Sequence, residues 1–225
     1  MSKNNSFTKL NDVMDTLFGE NGCPWEKAQT HQSIRADLLE ESYEVAEAID
    51  TSDMSSLKEE LGDLLLQVIL HSRIAEANGD FCLDDVMNQL SKKLISRHSH
   101  IFGEDTAKTP KDALQSWEAN KMQEKAILTP LENMQAVPKA LPALTRAQKV
   151  IKRSNNNFAK NFSEKEALSE IRILLENMGK NDLIEDEMGI YGNVLFLLAQ
   201  ILTKKQINAE FVLTNAVQTF INSFM

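Results

Sequence analysis

The chain has 225 residues, 42% of them hydrophobic and 25% charged, and carries a net charge of −9. This is enough apolar material for one large packed domain or two small ones, while the acidic balance excludes a general nucleic-acid binder, which needs a basic surface. No stretch approaches the roughly 20 apolar residues of a membrane span, the opening MSKNNSFTKL lacks a signal-peptide core, and Cys23 and Cys82 belong to no CxxC pair, so the expectation is a reduced, soluble, cytoplasmic protein.

A short helix is expected over Phe7 to Phe18, followed by a loop through Gly19-Glu20-Asn21-Gly22-Cys23-Pro24. A long helix then runs from about Glu26 to Asp50, with Ile34, Leu38, Leu39, Val45, Ala46 and Ile49 at helical spacing. Thr51-Ser52-Asp53 breaks it and offers caps for a helix through Leu57 to Ala77, which Asn78-Gly79-Asp80 ends. Further helices are expected over Leu83 to Arg97 and from Thr109-Pro110 through Trp117 to Lys125. Pro130, Pro138 and Pro142 mark residues 129–143 as a linker. Beyond it lie helical patterns over Leu144 to Arg153, Glu164 to Met178, Leu183 to Thr203 and Ala209 to Phe220. No alternating strand pattern occurs, so the class is all-α. Glu60-Leu61-Gly62-Asp63 before an apolar run is echoed by Glu187-Met188-Gly189-Ile190 before Val194 to Leu198, which reads as an internal duplication. The expected domains are 1–128 and 144–225.

The chemistry concentrates on the two helices flanking Thr51-Ser52-Asp53. Glu41 and Glu44, then Glu60 and Asp63, are i, i+3 pairs, each on one helix face. Alone, the stripe Asp37, Glu41, Glu44 reads as a solvated acidic face. The second stripe, Glu60, Asp63, Gln67 and His71, lies among Leu61, Leu64, Leu65, Leu66, Val68, Ile69 and Leu70. A helix apolar on nearly every other side is expected to be buried, with Asp63 pointing into a core and the stripe internal. Two acidic stripes facing each other need a cation, and an all-carboxylate donor set suits Mg2+ or Mn2+. A di-iron site is disfavoured because no Glu-x-x-His pair exists. Lys93 and Arg97, at i, i+4 among Lys92, His98 and His100, are candidates to clamp a polyphosphate; the plainer reading is a solvated helix end. Trp25, at a loop–helix junction, either stacks on a base or plugs a core. His31, His71, His98 and His100 are each read as isolated surface or core histidines.

These segments resemble the MazG family of nucleoside triphosphate pyrophosphohydrolases. The resemblance rests on Gly22 to Arg35, Leu38 to Asp50, Glu59 to His71 and Lys93 to Gly103, with Leu141 to Arg153 similar to the family's inter-repeat linker. The family motif, Glu-Glu-x-x-Glu then Glu-x-x-Asp, reads here Glu40-Glu41-Ser42-Tyr43-Glu44 and Glu60-Leu61-Gly62-Asp63. The resemblance implies an all-α fold and a homodimer whose sites are framed by both protomers. It also implies hydrolysis of (d)NTPs between the α and β phosphates to NMP and pyrophosphate. By position it assigns Glu41, Glu44, Glu60 and Asp63 to Mg2+, Lys93 and Arg97 to phosphates, and Glu40 to the attacking water. The second half departs from the pattern: Arg172-Ile173-Leu174-Leu175-Glu176 and Glu187-Met188-Gly189-Ile190 keep only Glu176 and Glu187. Two carboxylates in place of four bind Mg2+ poorly, so the second repeat is expected to be degenerate, a structural or dimerising remnant. The alternative function is a non-catalytic helical protein that binds a nucleotide or a protein partner.

Overall fold

The computed structural model describes residues 6–127, 129–154, 163–177 and 184–224; for 184–186 it describes the backbone alone. Among these residues every regular element is a helix. The chain divides into two compact units, Met1–Thr106 and Ala107–Met225. None of the described helices is long and apolar enough to cross a membrane.

In the first unit, α1 (Ser6–Phe18) and a four-residue α2 (Pro24–Lys27) precede the long pair α3 (Arg35–Asp50) and α4 (Met54–Ala77). They are followed by α5 (Leu83–Arg97) and the short α6 (Ser99–Phe102). The helix expected from Glu26 to Asp50 is therefore two elements. The break has a local cause: Ser33 Oγ accepts from Thr30 N at 2.9 Å and Thr30 Oγ1 accepts from Ser33 N at 3.1 Å. The hydroxyls capture backbone groups that a continuous helix would use.

The α3–α4 turn and the end of α4 are defined by capping. Ser52 has φ 59°, its N–H donates to Ile49 O at 3.1 Å, and Asp53 N–H donates to Ala48 O at 3.0 Å. This is the left-handed C-terminal cap that usually holds glycine, and Gly79 (φ 78°) repeats it after α4. Asp53 Oδ1 then accepts from Ser55 N and Ser56 N, which starts α4. That cap extends α4 three residues ahead of the expected Leu57.

The core joins Met14, Ile34, Ile69, Leu70 and Ile74, with Leu10, Leu17, Phe18, Leu66 and Leu83 packed around it. Each fully buried Ile or Met side chain contributes about 1.5–3 kcal/mol. Arg73 ties α4 to α1 through Asp15 and, at 2.9 Å, Asn11. The expectation that α4 is buried nearly all round is corrected here. Leu61, Leu65 and Val68 are 49%, 41% and 39% exposed, so α4 has one packed apolar face and a second one open to solvent.

In the second unit, α7 (Pro110–Glu124) and α8 (Pro130–Gln135) both begin with a capping box and a proline, at Thr109–Asp112 and Thr129–Glu132. Residues 129–143 thus contain a short helix. Then come α9 (Ala143–Arg153), α10 (Glu164–Glu176), α11 (Ile184–Lys204) and α12 (Ala209–Asn222). Helix α9 packs against α8, α11 and α12, and α10 packs against α11. The buried Gln148 amide bridges the turn into α12, donating to Ile207 O at 2.8 Å and accepting from Ala209 N at 3.0 Å. Met178 and Leu183, expected helix ends, lie outside the described residues.

Candidate metal centre

The hairpin sets the site. In an antiparallel pair turning about Ser52, residues equally far from the turn face each other. Glu44 and Glu60 each lie eight residues from Ser52, and Glu41 and Asp63 each lie eleven. The structure brings Glu41, Glu60 and Asp63 together with one carboxylate oxygen from each within 4.8 Å of the others, all three half-buried. Glu44 adjoins the group, one helical turn from Glu41, and its charge acts on both Glu41 and Glu60.

The cluster is electrostatically uncompensated. Desolvation raises the Glu41 pKa from its ordinary value, and the charges of Asp63, Glu44 and Glu60 push it further. Glu60 is raised for the same reasons, desolvation first, then Glu44, Glu59 and Asp63. Every cause acting on these two groups disfavours their ionised forms. A hard divalent cation with oxygen preference reverses that balance, so the donor set fits Mg2+ or Mn2+.

Asp63 belongs to this half-open cluster and does not enter a core as expected. The internal part of its stripe starts one turn later. Gln67 is 5% exposed, and Gln67 Oε1 and His71 Nε2 are buried without a hydrogen-bond partner among the described residues. Glu40 is exposed on the neighbouring helical position. Trp25, at 56% exposure, is no core plug. Lys93 is exposed, whereas Arg97 is 4% exposed, so the two differ in environment despite sharing a helix face by spacing. Neither is a member of the carboxylate cluster; α5 does pack against α4.

One pairing escaped the sequence reading. His31, in the turn before α3, meets His71 of α4 with ring centroids 5.1 Å apart, planes 11° apart and Nδ1 atoms at 2.8 Å. The signal was available: the two lie 21 and 19 residues from Ser52, on opposite arms of one hairpin.

In the second unit, the surviving Glu176 accepts from Arg172 Nε at 2.8 Å, and both side chains are exposed. Among the described residues, no cluster of potential metal ligands like that of the first unit occurs there.

Residues 29–102 match the MazG nucleotide pyrophosphohydrolase domain. The nucleoside triphosphate pyrophosphohydrolase/pyrophosphatase MazG of Thermotoga maritima is 32% identical over 223 residues, spanning 97% of this chain and 84% of that one. This chain belongs to the MazG family. The nucleoside triphosphate pyrophosphohydrolase of Escherichia coli K12 is 40% identical over 153 residues, which cover 68% of this chain and 58% of that protein. The YabN protein of Bacillus subtilis is 44% identical over 146 residues, 65% of this chain and 30% of YabN. The matched segments thus span well under two thirds of two of these three relatives.

Proposed function

We propose that this chain is an enzyme that hydrolyses nucleoside triphosphates between the α and β phosphates, releasing NMP and pyrophosphate. The observation that carries this reading is the Glu41–Glu60–Asp63 cluster, joined by Glu44, inside the segment that matches the family domain. These four carboxylates hold Mg2+, or Mn2+ in its place. When bound, the ion supplies Lewis acidity toward the phosphoryl oxygens and lowers the pKa of water. The chain's own residues do the rest. Glu40 accepts a hydrogen bond from the attacking water and orients it at the α phosphorus. Lys93 and Arg97 bind phosphate oxygens, and exposed Trp25 stacks on the base.

The protein acts as a cytoplasmic homodimer, a reading supported by the open apolar face of Leu61, Leu65 and Val68 beside the site. Residues 1–128 are the working domain and 129–143 connect it to a degenerate repeat, 144–225. The loss of two of the four ligand carboxylates and the Arg172–Glu176 pair support that last assignment. The test is a panel of NTPs and dNTPs with Mg2+, assaying NMP and pyrophosphate, with Glu41→Ala and Asp63→Ala alongside. Turnover abolished in both variants is expected. Absence of pyrophosphate from every nucleotide would favour a non-catalytic binding protein instead.

A further inference from the structure

We propose that His31 and His71 form a clasp that positions the two carboxylate pairs, making both histidines positioning residues for the metal centre. The inference rests on the carboxylate reading above and adds two residues to it.

The argument begins with the repulsion inside the hairpin. Glu41 and Glu44 on α3 face Asp63 and Glu60 on α4, so the middle of the hairpin pushes apart. One end is tied by the Ser52 turn and the Asp53 cap. The other end needs its own tie, and there the chain places His31 against His71, ten residues before Glu41 and eight after Asp63. Eight helical residues span about 12 Å, so the contact is near enough to set the spacing of the carboxylates through two stiff helices.

The contact is chemically specific. Two Nδ1 atoms at 2.8 Å require one proton between them: one ring donates and the other accepts. A second proton places two N–H groups nose to nose and breaks the contact. His71 Nε2 is buried with no hydrogen-bond partner among the described residues, so the contact with His31 is the hydrogen bond that orients the His71 ring. Beside the pair, Ile34 is 1% exposed and seals this end of α3 into the core. Packing holds the segment, and the shared proton orients it.

The test uses the full chain and reads metal binding without nucleotide. Binding of Mn2+ is followed by the loss of the free-ion EPR signal near neutral pH, in wild type and in His31→Ala, His71→Ala and His71→Asn. An asparagine amide places a donor or acceptor close to the Nδ1 position. Groups hydrogen-bonded directly to metal ligands change affinity about 10–100-fold; the histidines act through the helices, so the alanine variants are expected at the low end of that range, binding Mn2+ about tenfold more weakly, with His71→Asn recovering most of the loss. Wild-type affinity in folded His31→Ala would overturn the clasp alone. So would His71→Asn binding as weakly as His71→Ala, since the role would then be packing. If His71→Ala loses its helical circular dichroism, His31→Ala decides the matter, being in a turn. Failure of wild type to bind Mn2+ would overturn the carboxylate reading, and the clasp with it.

Discussion

Replacing Asp63 with Asn has opposite expected effects without and with a divalent cation, because the same charge repels its neighbours and holds the ion. Carboxylate oxygens of Glu41 and Asp63 lie within 4.8 Å of each other. At that distance two unit charges repel by about 0.9 kcal/mol in water and about 3.5 kcal/mol at an effective dielectric of 20. Both side chains are half-buried, so solvent screening brings the relief toward the lower value, about 1 kcal/mol. For a chain of this size, that is a rise of about 2–4 °C in the metal-free Tm. Saturating Mg2+ reverses the ranking, since a ligand at 100 times its Kd stabilises the native state by about 2.7 kcal/mol. Wild type gains this and Asp63→Asn largely does not. Thermal denaturation in EDTA and in Mg2+ reads both arms. Equal Mg2+ stabilisation of the two proteins would refute Asp63 as a ligand, and a lower metal-free Tm for the variant would refute the repulsion.

Burial, and secondarily the charge of His31, lower the His71 pKa below 6.5. Its neutral form is therefore the one the fold favours, and its stability contribution is complete above about pH 6.5 and lost as pH falls through the lowered folded value. Arg73 is turned toward Asp15, Asn11 and Glu76 and does not offset this. Urea titrations from pH 7.5 to 5.5 are expected to show a falling midpoint that is blunted in His71→Asn; an equal fall in both would exclude His71 as the cause. Glu176→Gln with Glu187→Gln is expected to leave Mg2+-dependent stabilisation unchanged, and a reduced Mg2+ shift would give the second unit a metal role. Leu65→Glu on the open face of α4 is expected to halve the mass measured by light scattering; an unchanged mass would move the dimer interface elsewhere.

The helical class and the opposed carboxylates were legible because their signals are local: 3.6-residue periodicity, a cap at Asp53, and i, i+3 spacing either side of one turn. The break at Thr30–Ser33 was not, because hydroxyl-to-backbone capture competes with helix formation by small margins that apolar spacing does not report. The exposure of Leu61, Leu65 and Val68 was missed for a different reason. An apolar residue reads the same whether it faces its own core or a second copy of the chain, so periodicity alone gave a buried helix. The His31–His71 contact needs the register of the hairpin. Once the Ser52 turn is fixed, that register follows by counting outward from it, but single histidines scanned along the chain carry no such information.

The Ser52 turn is thus the feature from which the site follows, and it can be perturbed directly. Ser52 occupies a left-handed conformation (φ 59°) that L residues adopt at a cost of roughly 1–2 kcal/mol. Glycine is free of that penalty but gives up about 0.5–1 kcal/mol to unfolded-chain entropy, so Ser52→Gly is expected to stabilise by about 0–1.5 kcal/mol, raising Tm by no more than about 6 °C. A β-branched residue is worst suited to this region, and Ser52→Val is expected to lower stability by about 1–3 kcal/mol. The informative quantity is the Mg2+-dependent part of Tm. If the turn sets which carboxylates face each other, valine reduces the Mg2+ shift as well as the metal-free Tm, while glycine preserves both. A valine variant with lower metal-free Tm and an undiminished Mg2+ shift would show that packing of α3 on α4, led by buried Ile34, Ile69 and Leu70, holds the register without the turn.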